Sequence, residues 1–441
     1  MASNVANYDF GGGGIQLVKN PLHLADNEAT QLQNAELVLN ETTGGAGALS
    51  KRGGLAVLNS SAMSGSVTGI LPLTLLTSYT RTLYIAKGTE DSTTFVTTTD
   101  GTTLTNSTTS PRLCDFDKYT DENNARNARR MISFRNFIVY AGNNYTQDTD
   151  NPEITVFDGT TGTLVARIPV GPSSNGNPPF VITDMITANG LIYFAVHDPG
   201  GSGANLCGRV MSLDLETGVI KQIATAFGGG TNEMSGGAPS CLVFYQSQLW
   251  VGLNGSATTD GIGKIVRCYP SIDTSWTADV SNLVSHVSSL CAFSGDLYAG
   301  TQSSISTGAK IYKRTASTGA WAAVATSGGG AGGSGHYASI YEHSSALYAV
   351  EFHTTTPIVH IVTSADGTTW TTSRDVDAND SGTAALFPGS MLTLGSDLLV
   401  VFRSTDINDN DGFLMRLRSG TWSKLATDNY AGPLAVLVTK A

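Results

Sequence analysis

The sequence predicts an all-β chain: a seven-bladed β-propeller of four-stranded antiparallel blades, preceded by an N-terminal extension containing a short helix. Three observations carry this expectation. An apolar run recurs seven times at a period of about 50 residues. A turn followed by Trp or an aliphatic residue recurs in step with it. The composition, with 50 glycines, abundant Thr and Ser and only 14% charged residues, favours strands and turns over helices.

The apolar run reads Leu83-Tyr84-Ile85-Ala86, Phe137-Ile138-Val139-Tyr140, Leu191-Ile192-Tyr193-Phe194 and Leu249-Trp250-Val251-Gly252 in its first four copies. It continues as Leu297-Tyr298-Ala299-Gly300, Leu347-Tyr348-Ala349-Val350 and Leu398-Leu399-Val400-Val401. The copies are spaced by 54, 54, 58, 48, 50 and 51 residues. The turn marker begins as Asp100-Gly101-Thr102-Thr103-Leu104, Asp158-Gly159-Thr160-Thr161 with Leu164, and Glu216-Thr217-Gly218-Val219. Its later copies end in Trp276, Trp321, Trp370 and Trp422, which places four of the five tryptophans at one repeat position. Asp-Gly and Thr-Gly suit hairpin turns, because Gly takes positive φ at little cost.

Each repeat holds four strands. In the fifth, Ser288 to Phe293 pairs with Asp296 to Thr301 across Ser294-Gly295, and Ala309 to Arg314 and Trp321 to Ala325 follow. Four antiparallel strands at this period describe a propeller blade; a solenoid is the competing architecture. The first two strands are nearly continuous apolar runs and belong inside, whereas the later ones alternate and belong outside. Gly54-Leu55-Ala56-Val57-Leu58 resembles Gly432-Pro433-Leu434-Ala435-Val436-Leu437. One of the two is expected to complete a blade begun at the other end of the chain.

The net charge of −11 argues against a general nucleic-acid-binding surface, which needs clustered Lys and Arg. The five cysteines, Cys114, Cys207, Cys241, Cys268 and Cys291, are odd in number and include no Cys-x-x-Cys pair. They fit small buried hydrophobes rather than a disulfide framework or a zinc site. No run reaches signal-peptide or membrane-helix character, so a soluble chain without a cleaved signal is expected.

Residues 1–52 stand outside the repeat, so the expected division is an assembly segment, 1–52, and a propeller, 53–441. Gly11 to Gly14 make a flexible run, Ile15 to Val18 fit a short strand, and Asn20-Pro21 marks a turn. Asp26 or Asn27 caps a helix from Glu28 to Leu37, with Ala29, Leu32, Ala35 and Leu37 on a partly apolar face. An ordinary extension packed on the propeller is the plain alternative.

Gly14-Ile15-Gln16-Leu17, Asn20-Pro21-Leu22, Asn27-Glu28-Ala29, Asn34 and Gly47-Ala48-Leu49-Ser50-Lys51-Arg52-Gly53-Gly54-Leu55 together resemble the opening of virion structural proteins of tailed bacteriophages. The tail nozzle (tail tubular) proteins of short-tailed phages are the nearest group. The resemblance implies a structural, non-enzymatic chain without a cofactor. It implies a homo-hexameric ring around the DNA exit channel, attached to adaptor or portal-side proteins and holding tail fibres, spikes or a plug. DNA would touch it only in passage, and no stable membrane insertion is implied. The implied location is the virion tail, after assembly in the host cytoplasm. On this reading Ile15, Leu17, Asn20, Pro21, Leu22, Asn27, Glu28, Lys51 and Arg52 are the assembly-interface residues.

No catalytic or metal-ligating set emerges among the seven histidines. Glu351 and His353 form a Glu-x-His pair with His360 nearby, which is short of a third certain ligand. Ser364 to Trp370 resembles the Asp-box hairpin of sialidase-like propellers, a structural turn rather than an active site. Arg126, Arg129 and Arg130 lie in one polar stretch and do not supply arginines from separate blades. Gly11 to Gly14 lack the Lys and Ser/Thr of a phosphate loop. Two alternatives stay beside the tail component: a receptor- or glycan-binding propeller on a virion or fibre, and a glycoside-active propeller enzyme with paired carboxylates.

Overall fold

The computed structural model describes residues 36–38, 48–50, 79–89, 92–100, 103, 105–106, 131–143, 152–170, 181–197, 208–223, 237–255, 262–270, 276–284, 286–302, 308–326, 335–353, 359–376, 386–404, 413–427 and 434–440. All regular structure among them is strand. The chain divides into two compact units, 1–78 and 79–441.

In the first unit β1 (Glu36–Val38) pairs antiparallel with β2 (Ala48–Ser50). This corrects the C-terminal end of the expected helix, since Glu36 and Leu37 belong to a strand. A helix ending at Leu37 would leave its last carbonyls without partners, whereas Leu37 here pairs with Leu49. Residues 28–35 of that helix lie outside the described residues.

The second unit is a succession of four-stranded antiparallel meanders. Its opening strands are β3 (Tyr79–Thr89), β4 (Ser92–Thr98) and β5 (Thr105–Asn106). The next sheet holds β6 (Met131–Phe134), β7 (Phe137–Asn143), β8 (Pro152–Asp158) and β9 (Leu164–Pro169). After it come β10 (Val181–Ala188), β11 (Leu191–His197), β12 (Arg209–Asp214) and β13 (Val219–Gln222). A further sheet holds β14 (Gly237–Tyr245), β15 (Gln248–Gly255), β16 (Ile262–Cys268) and β17 (Thr277–Val284).

Two more meanders follow. The first is β18 (His286–Phe293), β19 (Asp296–Gln302), β20 (Lys310–Arg314) and β21 (Trp321–Thr326). The second is β22 (Gly335–His343), β23 (Ala346–His353), β24 (Val359–Ser364) and β25 (Thr371–Val376). The single pair Gln302 with His336 merges these two into one eight-stranded sheet. The last full meander is β26 (Leu386–Leu394), β27 (Asp397–Ser404), β28 (Phe413–Arg418) and β29 (Thr421–Thr427).

The final strand, β30 (Leu434–Lys440), returns to the beginning and pairs with β3, from Tyr79 with Lys440 to Ile85 with Leu434. It makes the order β30-β3-β4-β5, so the C-terminal copy of the Leu-Ala-Val-Leu segment completes the first sheet. The leading strands touch in series, β6 to β10, β10 to β14, β14 to β18, β18 to β22 and β22 to β26. β26 then touches β30, and β30 touches β6, so the series closes on itself. Arg418 adds a second tie, donating from Nη2 to the Asp100 carbonyl at 2.9 Å.

Burial follows the expected radial order. β19 is buried almost throughout, whereas β21 is largely exposed or half-buried. Leading and second strands meet in tight turns of left-handed backbone, Asn189-Gly190, Ser294-Gly295 and Ser344-Ser345 among them. Such turns match the twist of the strands that they join.

The leading strands interlock through one repeated device. β10, β14, β18, β22 and β26 each carry a register shift at the same level, beside Thr183, Ser240, Ser288, Ala338 and Gly389. A bulge turns one extra residue out of the ladder. Thr183 Oγ1 donates to the Pro239 carbonyl at 2.8 Å, and Ser288 Oγ donates to the Tyr337 carbonyl at 2.6 Å. Ser240 Oγ donates likewise to the Val287 carbonyl. In all three the acceptor is the residue just before the bulge of the next leading strand. The residue after the bulge repeats a second link: Asp184 accepts from Leu242 N at 2.7 Å and Ser289 Oγ from Ile340 N at 2.9 Å.

The phase shared by the two sequence markers also has a cause. The second residue of the apolar run reaches the outer turn of the following sheet. Tyr84 donates from its hydroxyl to the Gly159 carbonyl. A Cβ on Gly367 would meet the Tyr298 hydroxyl at 1.9 Å, and Tyr348 packs edge-on against Trp422 with ring centroids 6.5 Å apart. Gly300, which ends its run, lets β22 approach: a Cβ there would lie 2.8 Å from the Tyr337 carbonyl. Gly300→Ala is therefore expected to destabilise the unit by about 1–3 kcal/mol through overpacking. Urea unfolding checks this, and an unchanged midpoint would show that β22 gives way without cost.

Candidate functional site

The two ends of the meanders differ. Tight hairpins and the Asp- or Gly-containing outer turns all lie at one end. The connections at the other end are longer, apart from Glu90-Asp91 and Ser285, and lie outside the described residues. Beside these longer connections the strands β22 to β25 bring four titratable residues into one line.

Tyr337, Glu351, His360 and Asp375 stand directly opposite one another on β22, β23, β24 and β25. Directly paired residues project from one face. The four therefore form a line from the innermost strand to the outermost. Exposure rises along it, from Tyr337 at 3% and Glu351 at 6% to side-chain values of 28% for His360 and 69% for Asp375. His360 Nδ1 and Asp375 Oδ1 lie 2.6 Å apart. Burial, and then the Glu351 charge, push the Tyr337 phenol well above its ordinary value. Tyr337 thus stays a protonated donor at neutral pH rather than a nucleophile.

A second polar row lies at the same end. His286 pairs with Gln302, and Gln302 with His336. Buried His336 packs tilted against Phe352, ring centroids 5.7 Å apart. Burial pushes His286 below the usual imidazole range, so it is neutral at pH 7. The two rows offer a buried carboxylate, a phenol donor, an amide and a neutral imidazole. That set suits hydrogen bonding to an uncharged polar ligand better than pairing with a polyanion. Among the described residues no group of three or more His, Cys, Asp or Glu side chains is placed to hold a metal.

Of the Glu351-x-His353 pair, only the Glu351 side chain lies among the described residues. Glu351 faces His360 across β23 and β24. Tyr337 and Asp375 were not singled out from the sequence. Their one signal is a polar residue at a matching distance from the connections in each of four successive strands. Ile15, Leu17, Asn20, Pro21, Leu22, Asn27, Glu28, Lys51 and Arg52 all lie outside the described residues, as do Arg126, Arg129 and Arg130. Cys241, Cys268 and Cys291 are in no disulfide, and the first two are buried.

The Asp-Gly-Thr-Thr turns at the opposite end are structural. Asp366 Oδ1 accepts from Thr369 N at 2.7 Å and Thr368 N at 2.8 Å, and Asp158 Oδ1 accepts from Thr160 N and Thr161 N at 2.8 Å. The Thr369 and Thr368 amides hold the Asp366 carboxyl far below the usual carboxylate range. Trp370 packs against the buried cluster that includes Tyr298 and Ile311 of the preceding meander, as the hairpin motif implies.

No family model matches the chain, and no curated protein matches it. Among solved structures, the chain is similar to a "putative 6-phosphogluconolactonase" from Bacteroides fragilis NCTC 9343, with a TM-score of 0.52 and 12% identity over 82% of this chain and 98% of that one. A protein of the same description from Bacteroides uniformis ATCC 8492 gives 0.48 at 14% identity, covering 82% of this chain and 99% of that one. An oligogalacturonate lyase in complex with manganese gives 0.47 at 12%, covering 79% and 85%. The architecture is therefore propeller-like. The expectation of a non-enzymatic chain is corrected, because the fold matched across nearly the whole of its relative carries an enzyme's description. At this identity the likeness shows the fold and names no reaction.

The acid response of the turns can be measured. A carboxyl with a depressed folded value contributes stability above its unfolded value, about 3.9, and loses that contribution as pH falls through the folded value. Asp366→Asn is therefore expected to flatten the loss of stability between about pH 5 and about pH 2. Urea midpoints across that range check this, and an equal acid slope in both proteins would count against it.

Proposed function

We propose that the chain is a seven-bladed β-propeller whose end with the longer connections binds a glycan. The observation that carries the reading is the contrast between the two ends. One is closed off by tight turns whose carboxylates are spent on backbone amides. At the other, the Tyr337–Glu351–His360–Asp375 line and the His286–Gln302–His336 row stand next to the connections. Sugar hydroxyls donate to carboxylates and imidazole nitrogens and accept from phenols and amides. The acidic balance of −11 disfavours a polyanionic partner. Seven leading strands in a closed series support the blade count.

Binding and cleavage of a glycan are distinct outcomes at such a site, and the fold is compatible with both. A glycan array probed with the full chain is expected to show selective binding. His360→Ala, altering a partly exposed member of the line, is expected to weaken it at least about tenfold. Release of reducing ends from the bound glycan would mark a glycoside-active enzyme. Neither binding nor release on any glycan would sink the reading.

A second reading rests on a different observation, the motif from Gly14 to Leu55. Its resemblance to tail nozzle proteins of short-tailed phages supports a virion tail component. On this reading a homo-hexameric ring meets adaptor or portal-side proteins and fibres through Ile15, Leu17, Asn20, Pro21, Leu22, Asn27, Glu28, Lys51 and Arg52. A propeller exposed on a tail would be well placed to meet surface glycans, so the two readings are compatible. Native mass measurement is expected to give a ring, with the chain found in purified particles. A monomer absent from particles would exclude the tail role and leave glycan binding standing.

A further inference from the structure

We propose that, of the four joints between bulged leading strands, the one between β22 and β26 is the hinge that opens first, and that acid loosens it. Three of the four joints between bulged leading strands carry the hydroxyl link: Thr183 to Pro239, Ser240 to Val287, and Ser288 to Tyr337. The fourth bulge holds Ala338, which has no hydroxyl to offer to the carbonyl of Pro388, the corresponding residue before the next bulge.

That joint is tied nearer the tight-turn end instead. His343 Nδ1 and Thr393 Oγ1 lie 3.0 Å apart, His343 Nε2 and Ser344 Oγ 3.2 Å apart, and Thr393 N donates to the Tyr341 hydroxyl at 3.2 Å. The link between the sheets thus runs through a titratable ring that is only 5% exposed. Tyr348 of β23 faces this ring edge-on at 6.0 Å, and Asp397 of β27 is the carboxylate near enough to favour its charge. Arg418 holds Asp397 through three contacts, two of them at 2.8 and 2.9 Å. Tyr341, two residues before His343 on the same face of β22, accepts the Thr393 N bond. Glu342, between them on β22, points to the other face of the strand.

Burial keeps the His343 imidazole below its ordinary value. Its folded state is therefore neutral, and stability falls as pH drops below the unfolded value of about 6.5. Protonation would place a charge between two sheets, at the joint that lacks the bulge link.

Hydrogen exchange on the full chain, corrected for intrinsic rates, tests this. At about pH 7.5, β26 amides are expected to exchange about fivefold faster than those of β14 and β18, the worth of one net hydrogen bond. At about pH 5.5 the gap is expected to widen by a further fivefold or so. Ala338→Ser should slow β26 at both pH values by supplying the missing donor. His343→Gln should remove the acid response alone, with His343→Asn serving if the glutamine variant does not fold. Equal exchange in β26, β14 and β18 would overturn the hinge. An unchanged β26 in Ala338→Ser would overturn the role of the missing link, and an acid response retained without His343 would overturn its cause.

Discussion

Everything in the second unit depends on the pairing of β30 with β3. Without Leu434–Lys440, β3 would present an unpaired edge, and the series of leading strands would stop at β26. With it, the first sheet contains both the earliest and the last strands of the unit, and every leading strand has a neighbour on each side. Closure of this kind removes the exposed edges that an open series would leave inside. It also ties segments more than 300 residues apart in sequence, as does the Arg418 contact with Asp100. The loop-closure cost of such long-range contacts is met once, by packing repeated at every sheet.

The repeated packing uses few residues. Small side chains at the bulges let the leading strands approach, and the hydroxyls among them convert proximity into hydrogen bonds. Gly252 and Gly300 serve the same approach from the second strand; a Cβ on Gly252 would meet Cys241 Sγ at 2.5 Å and Val287 Cγ1 at 2.6 Å. Farther out, Asp279 receives Arg314, Arg267 and the Trp321 indole, while both guanidinium groups lie over Trp250. Asp279, its side chain buried, thus binds cations from both sheets, and the cluster specifies how they meet.

Polar chemistry is distributed unevenly. At the tight-turn end, aspartates are consumed by their own backbone. At the other end, Glu351, His360 and Asp375 form a line of increasing exposure. The propeller-like fold thus sets its backbone-bound turns and this polar line at opposite ends of the meanders.

The sequence by itself determined the strand content, the repeat and the pairing within each meander. The apolar run and the turn marker report local contacts, and local contacts leave a periodic trace. The strands read from the fifth repeat match β18 to β21 to within two residues at each boundary. Helix propensity misled at Glu36 and Leu37, where a hairpin partner ten or more residues away outweighs it. Tertiary structure alone decided which Leu-Ala-Val-Leu segment closes the series, because both copies have the same local pattern. It alone joined Tyr337 to Asp375, residues 38 positions apart, because register across four strands follows from turn geometry and bulges rather than from any one segment. The bulge links were equally silent in sequence, since a serine beside an aliphatic residue shows no sign of the neighbouring strand that it will meet.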